Sequence, residues 1–213
     1  MSHYFETPTG PEARREIHAN VWGRHHTLVT ANAVFSASRL DPGTAVLLRE
    51  VEPDPDARRL LDLGCGYGPI AIALASECPD AIVDAVDVNE RALDLVRVNA
   101  AASGLGDRVR ALLPEDADPN ARYDEIWSNP PIRVGKQALH DLLDTWLPRL
   151  TDDGVARLVV SKNLGADSLQ RWLGGRGWDC QRVASAKGFR VFEVTRGGDL
   201  PAIGGQVGGT VES

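Results

Sequence analysis

Apolar and polar residues show a period of two near Glu16–Trp22 and again over His26–Ala31, with Gly23-Arg24 between the two runs. That period predicts a small β-hairpin lying outside the main domain. Asp41-Pro42-Gly43-Thr44 reads as a turn and helix start leading into Ala45–Val51, and Glu52–Asp56 as a proline- and acid-rich linker. The period then changes. Arg59–Leu63, Ala81–Asp87, Arg108–Leu113, Tyr123–Ser128 and Gly154–Ser161 read as strands, several apolar throughout. Between and after them, Pro69–Cys78, Asn89–Ser103, Gln137–Leu147 and Asp167–Leu173 read as helices, with Ala92, Leu95, Val96 and Asn99 at helical spacing. Strands buried on both faces and alternating with helices predict an α/β domain around a mainly parallel sheet. Asp179–Ser185 and Arg190–Thr195, joined by a short turn at Gly188, predict an antiparallel pair near the end. The expected organisation is an N-terminal β extension over residues 1–40, the α/β domain over 41–196 and a glycine-rich, disordered tail over 197–213.

Composition narrows the class. The chain has 213 residues, 43% of them hydrophobic and 25% charged, as expected of a globular protein. No apolar run approaches the roughly 18–20 residues of a membrane helix, and residues 1–20 show no apolar signal-peptide core. Cys65, Cys78 and Cys180 are odd in number and form no C-x-x-C pair, and His25-His26 has no partner at ligand spacing. No metal site and no disulfide framework are expected, which places the protein in the cytoplasm. The net charge of −7 is uneven: Asp41–Asp118 carries 16 acids against 7 arginines, while Arg171–Arg196 carries six bases against two acids. A basic face on an acidic protein is one reading of that contrast, and a solvated arginine-rich region is the other.

The most informative segment is Asp62-Leu63-Gly64-Cys65-Gly66-Tyr67-Gly68 at the end of a strand. Glycines there let the backbone turn sharply and approach a ligand. The spacing is G-x-G-x-G, and an acid precedes it. Asp62 would repel a pyrophosphate but attract the ammonium and sulfonium of S-adenosylmethionine. Asp87, some 20 residues beyond the loop, is placed to accept hydrogen bonds from ribose hydroxyls. Asn89 is either a cofactor contact or the cap of the next helix. Cys65 contributes to the loop as a small packing residue. Asp116, after the third strand of this unit, is a candidate for the adenine amine.

Ser128-Asn129-Pro130-Pro131-Ile132 follows the fourth of these strands. A planar amino nitrogen is a poor nucleophile because its lone pair is delocalised. The side-chain oxygen of Asn129 and a backbone carbonyl at Pro130, aimed by Pro131, can accept its two hydrogens and free that lone pair for methyl transfer. Phe35, Ile132, Arg133 and Lys136 are the candidate substrate contacts, the last two for phosphates beside a flipped base. His140 reads as a helix-surface residue.

These motifs, with His3-Tyr4-Phe5, Val34-Phe35-Ser36, Leu40-Asp41-Pro42-Gly43-Thr44 and Asn129–Lys136, resemble the class I S-adenosylmethionine-dependent methyltransferases that modify planar nitrogens. Within that class they resemble the small methyltransferase family that contains the 16S ribosomal RNA guanine-N2 methyltransferase, over roughly residues 3–196. The resemblance implies a Rossmann-like, mainly parallel seven-stranded sheet with an antiparallel C-terminal strand. It also implies S-adenosylmethionine as cofactor, and ribosomal RNA or the small ribosomal subunit as partner. The implied activity is methylation of the exocyclic N2 of a guanine. Ile132 departs from the aromatic residue common at that position, so the base would be packed against rather than stacked upon. Adenine N6, a protein glutamine amide, or a cofactor-binding assembly module without turnover are the other readings, and the chain is expected as a monomer or homodimer.

Overall fold

A computed structural model of the chain describes residues 13–32, 34, 39–130 and 135–198. The predicted disordered tail beyond Gly198, and the candidate residues Phe35, Pro131, Ile132 and Arg133, lie outside the described residues.

Strands β1 (Arg14–Val21) and β2 (Arg24–Ala31) form the predicted hairpin as a two-stranded sheet of its own. Its turn is Trp22-Gly23 rather than Gly23-Arg24. Both residues adopt positive φ, 46° and 78°, which matches the twist of a tight two-residue hairpin. Trp22 bears this uncommon conformation while its indole packs edge-on against Trp127 at 5.9 Å and donates to the Val51 carbonyl at 3.2 Å. The hairpin does not stand apart from the main domain. Ile17, Val21 and Leu28 are buried in the same core as the helices beneath them.

The remaining elements are α1 (Pro42–Glu50), β3 (Arg59–Leu63), α2 (Pro69–Glu77), β4 (Ile82–Val86), α3 (Glu90–Ala102), β5 (Val109–Leu112), β6 (Tyr123–Ser128), α4 (Lys136–Trp146), β7 (Leu150–Ser161), α5 (Ala166–Gly175), β8 (Trp178–Ala186) and β9 (Phe189–Arg196). Seven strands form one sheet in the order β5-β4-β3-β6-β7-β9-β8. The β5, β4, β3, β6 and β7 strands are mutually parallel, and β9 runs antiparallel to both β7 and β8. This is the Rossmann-like arrangement expected from the sequence. β7 begins four residues before the predicted Gly154, at Leu150, which pairs with Tyr123 ahead of a register shift.

Each face of the sheet is covered. The hairpin and α1, α2 and α3 enclose one core around Leu60, Ile72, Leu95 and Trp127. On the other face, α4 and α5 enclose Ile126, Leu143, Leu158 and Phe192. Burying these side chains contributes about 1.5–3 kcal/mol each. Asn99, on the inward face of α3, is buried because it has work there that no apolar residue could do. Its side chain donates to the carbonyls of Val29 (2.9 Å) and Tyr67 (2.8 Å) and accepts from the Val29 amide (2.7 Å), joining the hairpin to the glycine loop.

Strand order reverses between β3 and β6, whose neighbours lie on opposite sides. In an open α/β sheet that reversal leaves a crevice at the carboxyl ends of the strands. The basic segment Arg171–Arg196 builds no continuous cationic face: Arg176 pairs with Asp144, Arg190 with Asp167 and Arg196 with Asp152, all acids on other parts of the chain.

Candidate active site

Pro69 supplies no amide hydrogen, and Gly68, at the N-cap of α2, has no side chain to cap the helix. Asp62 does so from the strand: its Oδ2 accepts the Ala71 amide at 2.9 Å. Gly68 has φ 84°, and a Cβ there would lie 3.0 Å from Val96 of α3, so this helix entry requires glycine. The glycine loop is held from the next strand by Asp87, whose Oδ2 accepts the Gly66 amide and Oδ1 the Asn89 amide, both at 2.9 Å. The Gly64 amide donates to Val86 at 2.9 Å.

Asp62 is wholly buried, and its Oδ1 has no hydrogen-bond partner among the described residues. Burial raises its pKa from 3.8 to about 8, with Asp87 adding to the rise and the Ala71 amide opposing it. Burial likewise raises Asp87 above the ordinary carboxylate range, against three backbone amides that lower it. Two acids therefore sit under the loop with no cation paired to them among the described residues. An acid that is costly to ionise and has an orphaned oxygen suits a ligand carrying positive charge. The Cys65 thiol is buried and its pKa is pushed well up, which leaves it a packing group rather than a nucleophile.

Gly64, Cys65, Gly66 and Asn129 meet in a shallow cleft, together with Asp41, Thr44 and Tyr67. The orientation of Asn129 follows from its partners. Its Nδ2 donates to Asp41 Oδ1 at 2.6 Å and to Thr44 Oγ1 at 3.1 Å. A carboxylate can only accept, so the amide nitrogen must face Asp41. With both N–H donors engaged, the group Asn129 has left to offer is its carbonyl oxygen. Asp41 is in turn fixed by the Gly43 and Thr44 amides, at 2.7 and 3.1 Å, as the N-cap of α1. Gly43 must be small, because a Cβ would lie 3.0 Å from Asp41, 3.1 Å from the Phe189 ring and 3.2 Å from Asn129 Nδ2.

Not every candidate residue reaches the cleft wall. Asn89 caps α3, its side chain accepting the Arg91 amide at 3.1 Å. Asp116 is exposed in a short 3-10 turn. Lys136 is exposed at the first turn of α4. His140 stacks on Trp172 with ring centroids 3.9 Å apart, away from any group that would use it as a base. Among the described residues no cluster of His, Cys, Asp and Glu could hold a metal ion.

Sequence reasoning missed three groups. Asp41 already explained itself as a helix cap, so nothing in its spacing signalled a bond to a residue 88 positions away. Thr44 is hidden in the same way. Tyr67 lay inside the glycine motif, but only the fold shows its hydroxyl buried in the cleft without a partner among the described residues. Burial and the nearby Asp41 raise its pKa.

Comparison with known proteins places this geometry. Residues 25–193 match the family described as methyltransferase small domain. An uncharacterized protein of Bacillus subtilis, YbxB, is 29% identical over 196 residues, covering 91% of this chain and 98% of its own. Ribosomal RNA small subunit methyltransferase C of Pseudomonas entomophila is 35% identical over 174 residues, covering 80% of this chain and 51% of its own. Among solved structures, the Thermus thermophilus 16S rRNA N2 G1207 methyltransferase, in complex with AdoMet and guanosine, aligns with a TM-score of 0.72 at 26% identity. That alignment covers 89% of this chain and 52% of that one, so the chain spans about half the length of the ribosomal RNA methyltransferases it resembles. The chain belongs to the methyltransferase small domain family and is an S-adenosylmethionine-dependent methyltransferase.

Proposed function

We propose that the protein methylates the exocyclic N2 amine of a guanine in ribosomal RNA, with 16S RNA of the small subunit as the substrate. The observation that carries this reading is the anchored amide of Asn129, whose two donors are engaged by Asp41 and Thr44 beside the glycine loop. An acceptor-only group at that place suits an amino nitrogen, which arrives with hydrogens to donate. The likeness to ribosomal RNA methyltransferases supports the choice of substrate.

S-adenosylmethionine supplies an electrophilic methyl group on a sulfonium. For holding it, the orphaned Asp62 Oδ1 suits the ammonium, the Asp87 carboxylate suits the ribose hydroxyls, and the backbone of Gly64, Cys65, Gly66 and Gly68 forms the close wall. Asn89 contributes through its amide, which steadies Asp87, and Asp116, exposed in its 3-10 turn, would be the residue to meet the adenine amine. Asn129 Oδ1 and the Pro130 carbonyl each accept one N–H of the target amine. The nitrogen lone pair is then released from conjugation and aimed by position alone. No base is required beforehand, because the methylated nitrogen is cationic and gives up its proton readily. Pro131 limits the conformations of Pro130. Phe35, Ile132, Arg133 and Lys136 are the proposed contacts to base and backbone.

The test presents unmodified ribosomal RNA, free and in small subunits, to the protein with isotope-labelled S-adenosylmethionine, and identifies labelled nucleosides by mass spectrometry. Label in N2-methylguanosine is expected. Label in N6-methyladenosine would overturn the choice of base, and label in protein amide alone would overturn the choice of RNA.

A further inference from the structure

The sequence carries 23 basic residues, of which only Lys136, Lys162 and Lys187 are lysines. These three, 51 positions apart from first to last, lie on three different connections that the fold brings to the same edge of the sheet. Lys162 follows β7, and its amide donates to the Gly188 carbonyl at 2.8 Å, which seats it beside Lys187 in the β8–β9 turn. Lys136 opens α4, and its Cε lies 3.9 Å from where a Cβ of Gly165 would be, three residues beyond Lys162. Phe189, two residues after Lys187, reaches the ideal Cβ position of Gly43, which in turn is 3.2 Å from Asn129 Nδ2. The three connections that carry the lysines thus lie at the carboxyl ends of the strands, where Asn129 follows β6.

All three are exposed, and none makes an ion pair among the described residues. The acids nearby have other engagements. Asp167 pairs with Arg190, Asp144 with Arg176, Asp141 accepts from Gln137, and Asp41 holds Asn129. Most charged arginines of the segment after Arg171 are neutralised in this way, whereas the three lysines are left as free point charges.

We propose that Lys136, Lys162 and Lys187 form one phosphate-binding arc that holds the RNA backbone beside the methyl-acceptor site. The inference rests on RNA as the substrate and adds which charges grip it. An ammonium on a flexible stem suits phosphates whose exact positions vary. A chain of net charge −7 repels RNA over most of its surface, so a small group of unpaired cations at the acceptor mouth has a large share in capture.

The experiment measures binding of unmodified 16S ribosomal RNA against potassium chloride concentration, and KM for the same RNA in methyl transfer. It compares wild type with the K136Q/K162Q/K187Q variant and with Arg58→Gln. Arg58 precedes the amino end of β3, at the opposite edge of the sheet. Removing three phosphate contacts is expected to flatten the plot of log affinity against log salt by about 2 and raise KM roughly tenfold or more at low salt. Cofactor affinity of the triple variant and the salt slope of Arg58→Gln are expected to match wild type. If wild type methylates RNA but the triple variant keeps its slope and KM, the arc is wrong and the RNA reading stands. If wild type neither binds nor methylates RNA, both are wrong. A response seen only with an acidic protein substrate also overturns the arc as an RNA site.

Discussion

The two edges of the sheet treat buried acids in opposite ways. Toward the amino ends, acids are matched with cations and donors. Asp84 receives Arg110 at 2.7 Å, the Tyr123 hydroxyl at 2.9 Å and Arg59 at 3.4 Å. Glu125 receives Arg157 at 2.5 Å, the Trp127 indole at 2.7 Å and the Asp54 amide at 2.9 Å. At the carboxyl ends, among the described residues, Asp62 and Asp87 have backbone amides and no paired cation, and one Asp62 oxygen has no partner. The same side chains in one sheet are thus locked at one edge and left open at the other. Unpaired buried acid costs stability, so its concentration beneath the glycine loop marks the place where a cationic ligand completes the structure.

The contrast can be broken from either edge. The largest effect on folding is expected at Glu125. Glu125→Ala leaves the nearly buried Arg157 with Glu193 as its remaining acid, at 3.3 Å, and leaves the Trp127 indole and the Asp54 amide without their acceptor. It costs about 3 kcal/mol, measured by denaturant unfolding, while kcat per folded molecule stays unchanged. A loss of turnover in folded protein would contradict the separation of the two edges.

Asp41 gives the next effect. Asp41→Ala releases the Asn129 amide and is expected to lower kcat about 10–100-fold, as removal of an orienting partner does. Loss of the α1 cap adds about 1 kcal/mol of instability. Asp41→Asn keeps an acceptor toward Asn129 and a competent cap, and restores most of kcat with little change in KM. Equal kcat loss in both variants would point to a charge effect instead.

Asp62 tests the open edge directly, at smaller magnitude. A carboxyl raised from 3.8 to about 8 binds its proton more tightly in the folded protein than in the unfolded one. Its stabilising contribution is therefore complete below pH of about 4 and fades as pH climbs through about 8. Asp62→Asn imitates the neutral form and keeps an oxygen for the Ala71 amide. In thermal unfolding it should gain on wild type from pH of about 5 to about 8 and level off above that. Its affinity for S-adenosylmethionine, by calorimetry, should fall about tenfold through loss of a charge-assisted contact. Affinity equal to wild type would show that Asp62 meets no positive charge.

Much of this was legible in the sequence because it is local. Alternation exposed the hairpin, apolar strands separated by helical spacing exposed the parallel sheet, and G-x-G-x-G after an acid exposed the glycine loop at the end of β3. What stayed hidden depends on residues distant in the chain. The Asp41–Asn129 bond joins the start of α1 to the end of β6, which meet because α1 packs against β7, the strand beside β6. The hairpin looked detached because its short strands are amphipathic, and only the packing of Asn99 against Val29 and Tyr67 shows what its inner face covers. Summed charge also misled: three arginines of the basic run, Arg176, Arg190 and Arg196, are taken up by ion pairs, while Lys187 of that run faces the same rim as Lys136 and Lys162.

The central claim is that the glycine loop holds the donor while Asn129, with the Pro130 carbonyl, prepares the acceptor nitrogen. It is tested most directly with Asn129→Ala, by titrating S-adenosylmethionine calorimetrically and then following a single turnover on unmodified ribosomal RNA with the same preparation. Cofactor affinity is expected to stay within about threefold of wild type while methyl transfer falls by about a hundredfold or more. Transfer at the wild-type rate by a variant that binds cofactor normally would contradict the account.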